Sequence, residues 1–170
     1  VIGFHNPEEE YGFLSNWYLS DFEVEGICFS SMEQFMMYRK AMTFEDQAVA
    51  SLILETRDVA RIKELGRQVS GYDDRTWNGV RQILIYEGLL QKFAQKEDLK
   101  EKLLGTGNAV LAECAVRDRI WGIGLSMKDP NRLCPSKWQG QNLLGYSLMI
   151  TRERLREENP DSIRSLQKKA

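Results

Sequence analysis

The spacing of apolar and polar residues predicts a mainly helical chain that begins with a few short strands. Glycine, asparagine and serine interrupt residues 1–29, and the apolar stretches Phe22 to Val24 and Ile27 to Phe29 are typical of strands. From Ser30 onward, apolar residues recur at intervals of three and four. This is the spacing of helices that bury one face.

Helix-start signals divide this second part into successive helices. Ser30 with Glu33 fits a capping box for a helix that runs to about Met42. Later helices are predicted at 48–54, 59–66, 76–95, 98–104 and 142–158, with a weak strand at 109–115 and a loop at 125–140. The predicted fold class is therefore mainly α with a few short β-strands. The length of 170 residues suits a single compact domain, 1–158, followed by a polar tail, 159–170.

Composition narrows the classes of function. The net charge of −2 gives no broad basic surface for a long duplex, although a local basic pocket for one or two phosphates stays open. Cys28, Cys114 and Cys134 form no CxxC pair, and the apolar runs are too short to cross a bilayer, so we expect a reduced, cytoplasmic protein. His5 is the single histidine. We therefore expect chemistry from carboxylates, lysine, tyrosine or backbone groups, with neither a metal nor a cofactor.

The first candidate for that chemistry is the pair Glu33 and Lys40. They are seven residues apart, so they lie on one helix face about 10 Å apart along the axis. A buried lysine loses its proton more easily and then attacks an aldehyde or imine carbon. The alternative is that Glu33 only caps the helix and Lys40 only interacts with the helix dipole.

Two further segments combine polar groups with aromatic rings. In the stretch Asp118 to Gly124, the carboxylate is either a general base or a ligand of a ribose hydroxyl, Trp121 offers a stacking surface, and the glycines let a ligand approach backbone N–H groups. A plain turn with Trp121 in the core explains the same residues. Asn16, Trp17 and Tyr18 are suited to grip a sugar or a base, or are core aromatics beside a turn asparagine.

Six motifs, in order along the chain, carry a resemblance to a known family. They are FLSNWY (13–18), SMEQFMMYRKA (31–41), IKELGRQVSGYD before Trp77, QKFAQ (91–95), LLGTGNAVLAECAVRDRIWGIG (103–124) and WQGQNLLGYSLMITRERL (138–155). Together they resemble the NADAR family, also called YbiA-like, over nearly the whole chain. The chain departs from the usual pattern at ECAVRD, at Arg39 and at Met37.

The resemblance implies a single compact YbiA-like domain and an N-glycosidase. Relatives act on early riboflavin-pathway intermediates or remove ADP-ribose from guanine, and both kinds of substrate carry a ribose whose C1 is bound to nitrogen. The substrate is thus expected to be a small molecule or a nucleotide-linked phosphoribosyl group, including ADP-ribosylated guanine in nucleic acid. A non-catalytic module that binds ADP-ribose or NAD is the alternative, and a protein-interaction module is a third. The oligomeric state stays open.

This resemblance assigns expected roles to the candidate residues. Lys40 is the expected nucleophile, with Glu33 or Asp118 moving protons and Glu113 as a further carboxylate. A direct attack by water activated by a carboxylate is the alternative mechanism. The expected substrate-binding residues are Asn16, Trp17, Tyr18, Gln34, Tyr38, Arg81, Arg119, Trp121, Gly122, Asn142 and Arg152.

Overall fold

A computed structural model describes residues 1–158. Six α-helices in this part are α1 (Met32–Thr43), α2 (Gln47–Leu54), α3 (Val59–Arg67), α4 (Asp74–Ala94), α5 (Glu97–Gly105) and α6 (Leu143–Glu157). Its four strands are β1 (Ile2–Phe4), β2 (Phe22–Val24), β3 (Ile27–Phe29) and β4 (Leu111–Glu113). The predicted fold class, mainly α with a few short strands, is confirmed. The predicted tail, 159–170, lies outside the described residues.

Contacts within the chain define two compact units. The first unit combines Val1–Leu14 with the chain from Phe93 onward, and the second is Ser15–Lys92. The first unit therefore holds β1, β4, α5 and α6, whereas the second holds the remaining strands, α1 to α3 and most of α4. The predicted domain limits, 1–158, stay a prediction. None of the helices described in 1–158 has the length and hydrophobicity needed to cross a membrane.

In the second unit, α1 begins one residue later than its capping box predicts. The N-cap is Ser31, whose Oγ accepts a hydrogen bond from Gln34 N at 3.1 Å, so the predicted cap at Ser30 is wrong. Ser30 instead donates its backbone N–H and its hydroxyl to Gln34 Oε1, at 2.6 and 3.0 Å. Two adjacent serines both have a glutamate or glutamine three residues on, so spacing alone does not distinguish them.

Helices α2 and α3 each begin after an aspartate that caps the first turn. Asp46 Oδ1 accepts from Val49 N, and Asp58 Oδ1 accepts from the first backbone N–H groups of α3. Both helices pack against α1, and their apolar faces bury Ile53, Ile62 and Leu65. The approach of α3 to α1 requires Gly66, because a Cβ there would lie 1.9 Å from Met37 Sδ.

The first unit has a parallel pairing that joins distant parts of its sequence. Strand β1 pairs with β4 in the register Ile2 with Leu111, Gly3 with Ala112 and Phe4 with Glu113. Helix α6 lies against β4. This arrangement places Glu113 at the end of a fully buried strand.

Candidate active site

Helix α1 carries a buried carboxylate at its start. Glu33 is 4% exposed, and its backbone N–H donates to the carbonyl of Asn16 at 2.9 Å. The Ser31 cap fixes the first turn of α1, so the backbone at Glu33 is held from two sides. A carboxylate kept this far from bulk water is suited to exchange protons with a bound substrate rather than with solvent.

Lys40 lies two turns further along α1 and is partly buried. Its Nζ donates to the carbonyl of Gly66 at 2.7 Å and lies 4.5 Å from the centre of the Tyr72 ring. Burial lowers the pKa of Lys40 from its ordinary value, an effect that the nearby Asp74 opposes, and Glu33 also acts on this pKa by raising it. Among the charges that act on this pKa, the contribution of Glu33 is the smallest, and α1 places Glu33 and Lys40 two turns apart.

The segment Ser15–Tyr18 precedes β2, which pairs antiparallel with β3, and is stabilised by its own turn. The backbone N–H of Tyr18 donates to the carbonyl of Ser15 at 3.2 Å, and that of Trp17 donates to Ser15 Oγ at 3.2 Å. Asn16 is 6% exposed, and its Oδ1 makes no hydrogen bond within residues 1–158. Trp17 is exposed, and Lys63 Nζ lies 5.6 Å from its ring. The segment thus offers an unsatisfied acceptor beside aromatic faces.

Three other predicted ligands in this unit are mainly engaged with the protein. Gln34 is buried, and its Nε2 donates to the carbonyls of Ile53 and Thr56 at 3.0 and 2.9 Å, which ties the start of α1 to the end of α2. The Tyr38 ring packs 5.4 Å from the Phe29 ring, and Arg81 is buried on α4. Their roles as substrate ligands stay predictions.

In the first unit, Glu113 is buried and paired with the single histidine of the chain. His5 Nδ1 lies 2.7 Å from Glu113 Oε1, and the side chain of Glu113 is 8% exposed against 56% for His5. The backbone of Glu113 is bonded on both sides, since its N–H donates to Asn142 Oδ1 and its carbonyl accepts from Ile123 N. This geometry allows proton transfer between the imidazole and the carboxylate.

The stretch around Asp118 forms a turn, which is one of the two structures that its residues suggest. Asp118 Oδ1 accepts from the backbone N–H groups of Ile120 and Trp121, at 2.9 and 2.8 Å. Arg119 is exposed and donates to Gln139 Oε1, and Trp121 is partly buried. Gly122 has no room for a side chain, because a Cβ would lie 2.9 Å from the carbonyl oxygens of both Asp118 and Glu113. One carboxylate oxygen of Asp118 is therefore used by the turn.

Two predicted substrate-binding residues, Asn142 before α6 and Arg152 on it, form hydrogen bonds within the first unit. Asn142 is fully buried at φ 54°, and its Nδ2 donates to the carbonyl of Leu111 at 2.8 Å. Arg152 is 3% exposed, and its Nη1 donates to Thr106 Oγ1 and to the carbonyl of Ala109 at 2.8 and 2.9 Å. Burial lowers the pKa of Arg152 from its ordinary value. These bonds account for both residues structurally, and their roles toward substrate stay predictions.

Residues 1–158 contain no group of three or more histidine, cysteine, aspartate or glutamate side chains placed to hold a metal ion. A cleft of about 440 Å³ opens beside β1 in the first unit. It is lined by Val1, Ile2, Gly3, Phe4, Glu9, Glu10, Tyr11, Met127 and Arg132, a set that shares no member with the predicted site residues.

Comparison with known proteins decides the family. The family model described as the NADAR domain matches residues 3–156. The chain belongs to this family. The resemblance of the six motifs is thereby confirmed for the whole described part of the chain apart from its ends.

Relatives of this NADAR domain carry names that describe a reaction or a pathway. An N-glycosidase of Acanthamoeba polyphaga mimivirus is 40% identical over 129 residues, which are 76% of this chain and 74% of that protein. A riboflavin biosynthesis protein of Vibrio vulnificus is 31% identical over 159 residues, 94% of this chain but 40% of that protein. The NMR structure of the Escherichia coli protein YbiA matches with a TM-score of 0.76 and 28% identity, covering 92% of this chain and 85% of that one.

The sequence does not predict a functional role for two residues of this NADAR domain, Lys92 and His5, whose surroundings in the structure suit proton transfer. Lys92 on α4 is fully buried, and burial lowers its pKa to about 7. It continues the buried stripe of Ile85 and Leu89 at helical spacing, a signal that the usual exposure of lysine obscures. The pairing of His5 with Glu113 joins residues 108 positions apart, and no local pattern indicates it.

Proposed function

We propose that this NADAR domain is an N-glycosidase, a hydrolase that cleaves the bond between a base or amine nitrogen and C1 of a phosphorylated ribose. Relatives that are named N-glycosidases support this reaction class. In this chain, the proposal is carried by one observation. A buried carboxylate, Glu33, lies seven residues before a partly buried lysine, Lys40, on the same helix, and the Lys40 amine is held by the carbonyl of Gly66 at 2.7 Å.

Lys40 is the nucleophile in this proposal. An exocyclic N-riboside, whose nitrogen carries a hydrogen, opens its ring to give an imine at C1, and the uncharged Nζ attacks that carbon. Glu33 takes the proton that Nζ releases and passes it to the base nitrogen, and the bond from C1 to that nitrogen then breaks. A Schiff base between Nζ and C1 remains. Water then adds to this carbon and releases the sugar aldehyde, which regenerates the amine of Lys40.

A lowered pKa favours this step because only the uncharged amine has a lone pair to attack with. Partial burial raises the uncharged fraction of Lys40 near neutral pH relative to an exposed lysine. In the alternative mechanism, Glu33 or Asp118 activates water directly against C1, and Lys40 contributes only its charge. The two mechanisms differ in whether a covalent bond to Lys40 forms.

The substrate is a phosphoribosyl group linked to nitrogen, and two molecules fit this description. One is a ribosylamino-pyrimidine phosphate of the early riboflavin pathway, which the name of the Vibrio relative supports. The other is ADP-ribosylated guanine, free or in nucleic acid. We propose that Asn16, Trp17 and Tyr18 bind the ribose and the base, since they combine an unsatisfied acceptor with aromatic faces.

Incubation with each substrate, followed by mass spectrometry of the released sugar, tests the function. Ribose 5-phosphate identifies the riboflavin precursor as substrate, and ADP-ribose identifies the modified guanine. Release of neither sugar, together with tight binding of ADP-ribose, would instead establish a non-catalytic ADP-ribose-binding module.

Borohydride reduction in the presence of substrate tests the role of Lys40. We expect a covalent adduct that maps to Lys40, and a loss of at least about 10³-fold in turnover for Lys40→Ala. Lys63→Ala is the matched control, because Lys63 is also a partly buried lysine that contacts an aromatic ring in this unit. A Lys40→Ala variant that keeps most of its rate and gives no adduct would refute the nucleophile role.

A further inference from the structure

Lys92 reaches the Ser15–Tyr18 segment from the last turns of α4. Its side chain is fully buried, its Nζ lies 3.5 Å from the carbonyl oxygen of Ser15, and the same atom lies 5.4 Å from the centre of the Tyr18 ring. One amine thus contacts both the first and the last residue of this short segment.

Asn16 lies between these two contacts, and its carboxamide oxygen is buried without a donor in the part of the chain that the structure describes. Its backbone carbonyl is held by the N–H of Glu33 at 2.9 Å, which links the segment to the start of α1. Buried acceptors are nearly always satisfied by protein, by water or by a ligand. An oxygen held in this way is therefore suited to accept a hydrogen bond from a bound molecule.

We propose that Lys92 is a positioning residue, which holds the Ser15–Tyr18 segment so that Asn16 Oδ1 accepts a hydrogen bond from a ribose hydroxyl of the substrate. The identity of this ligand rests on the proposed N-glycosidase function. Lys92 restrains the segment at Ser15 through the carbonyl and at Tyr18 through the ring face. Without the amine, the segment gains freedom, and Asn16 loses its fixed direction toward the hydroxyl.

The Lys92→Met variant tests this role, because methionine keeps the buried aliphatic volume and removes the amine. We expect KM to rise about tenfold or more while kcat changes less than about threefold, since a ribose hydrogen bond contributes to binding before and during the reaction. Lys63→Met is the control, because Lys63 contacts the Trp17 ring of the same segment from a partly exposed position. We expect its KM to stay within about twofold of that of the unmodified protein.

A double-mutant cycle separates positioning from general structural support. If Lys92 acts through Asn16, then Asn16→Ala raises KM by a similar factor, and the double variant is no worse than either single variant. Additive losses in KM would overturn the proposal. So would a Lys92→Met variant that melts at a lower temperature than the unmodified protein, because Lys92 would then be a structural support.

Binding measurements keep this inference distinct from the proposed reaction. If the protein releases no sugar but binds ADP-ribose or ribose 5-phosphate by calorimetry, the hydrolase function fails, while weaker binding by Lys92→Met still supports positioning. If the protein hydrolyses its substrate and Lys92→Met has an unchanged KM, the positioning role fails and the hydrolase function stands. If the unmodified protein neither hydrolyses nor binds these compounds, both proposals are overturned.

Discussion

The buried amine of Lys92 opposes folding, and its replacement by methionine should stabilise the protein. Burial lowers the pKa of Lys92 from its ordinary value of 10.5 to about 7. The folded state therefore binds fewer protons than the unfolded state between these two values. Because the unfolded state binds more protons there, the free energy of unfolding rises with pH as a result of this group.

The size of the effect follows from the same two values. The pKa of Lys92 falls from 10.5 to about 7, and each pH unit corresponds to about 1.4 kcal/mol. The charged amine therefore lowers the free energy of unfolding by about 5 kcal/mol below pH 7. The penalty is still nearly complete at pH 7, then shrinks steadily and vanishes above pH 10.5.

Urea unfolding of the unmodified protein and of Lys92→Met, at pH 6, 7 and 10, measures this directly. We expect Lys92→Met to be more stable by about 3–5 kcal/mol at the two lower pH values, and the difference between the proteins to fall to about 1 kcal/mol at pH 10. Other titrating groups are common to both proteins and cancel in the difference. If Lys92→Met is less stable by the same amount at every pH, the amine is well solvated in the folded state and the reasoning is wrong.

Two predictions concern site residues that also have structural bonds. Asp118→Asn keeps the Oδ1 that accepts from Ile120 N and Trp121 N, so its melting temperature should stay within about 2 °C, whereas a role as general base predicts a loss of about 10²–10⁴-fold in kcat. An unchanged kcat would show that Asp118 serves only the turn. Arg152→Met removes the donor to Thr106 and Ala109 and should destabilise the protein by about 2 kcal/mol in urea unfolding, with KM unchanged. A raised KM at full stability would instead support its predicted role in binding phosphate.

Local patterns explain why most helices were predicted correctly. Asp46 and Asp58 cap α2 and α3 through bonds to residues two or three positions away, so the groups that start these helices are close together in sequence. The start of α1 differs from its prediction because Ser30 and Ser31 both satisfy the capping pattern. Ser31 is selected because Gln34 bonds to Ser30 and to the end of α2, a contact outside the reach of any local rule.

The candidate site also combines features that local sequence spacing predicts with contacts that depend on tertiary packing. Helical spacing alone predicts that Glu33 and Lys40 share a face of one helix, and α1 contains both residues. Spacing does not reveal that the Lys40 amine meets the carbonyl of Gly66, because that contact depends on how α3 packs against α1.

The helical class, the family and the shared helix face of Glu33 and Lys40 follow from the sequence, because they depend on residues a few positions apart or on motifs read in order. The tertiary structure alone decided the parallel pairing of β1 with β4, the contact of His5 with Glu113 and the full burial of Lys92. Those features join residues that are distant in sequence. Desolvation, which sets the pKa of a lysine, depends on everything packed around the amine and not on its neighbours along the chain.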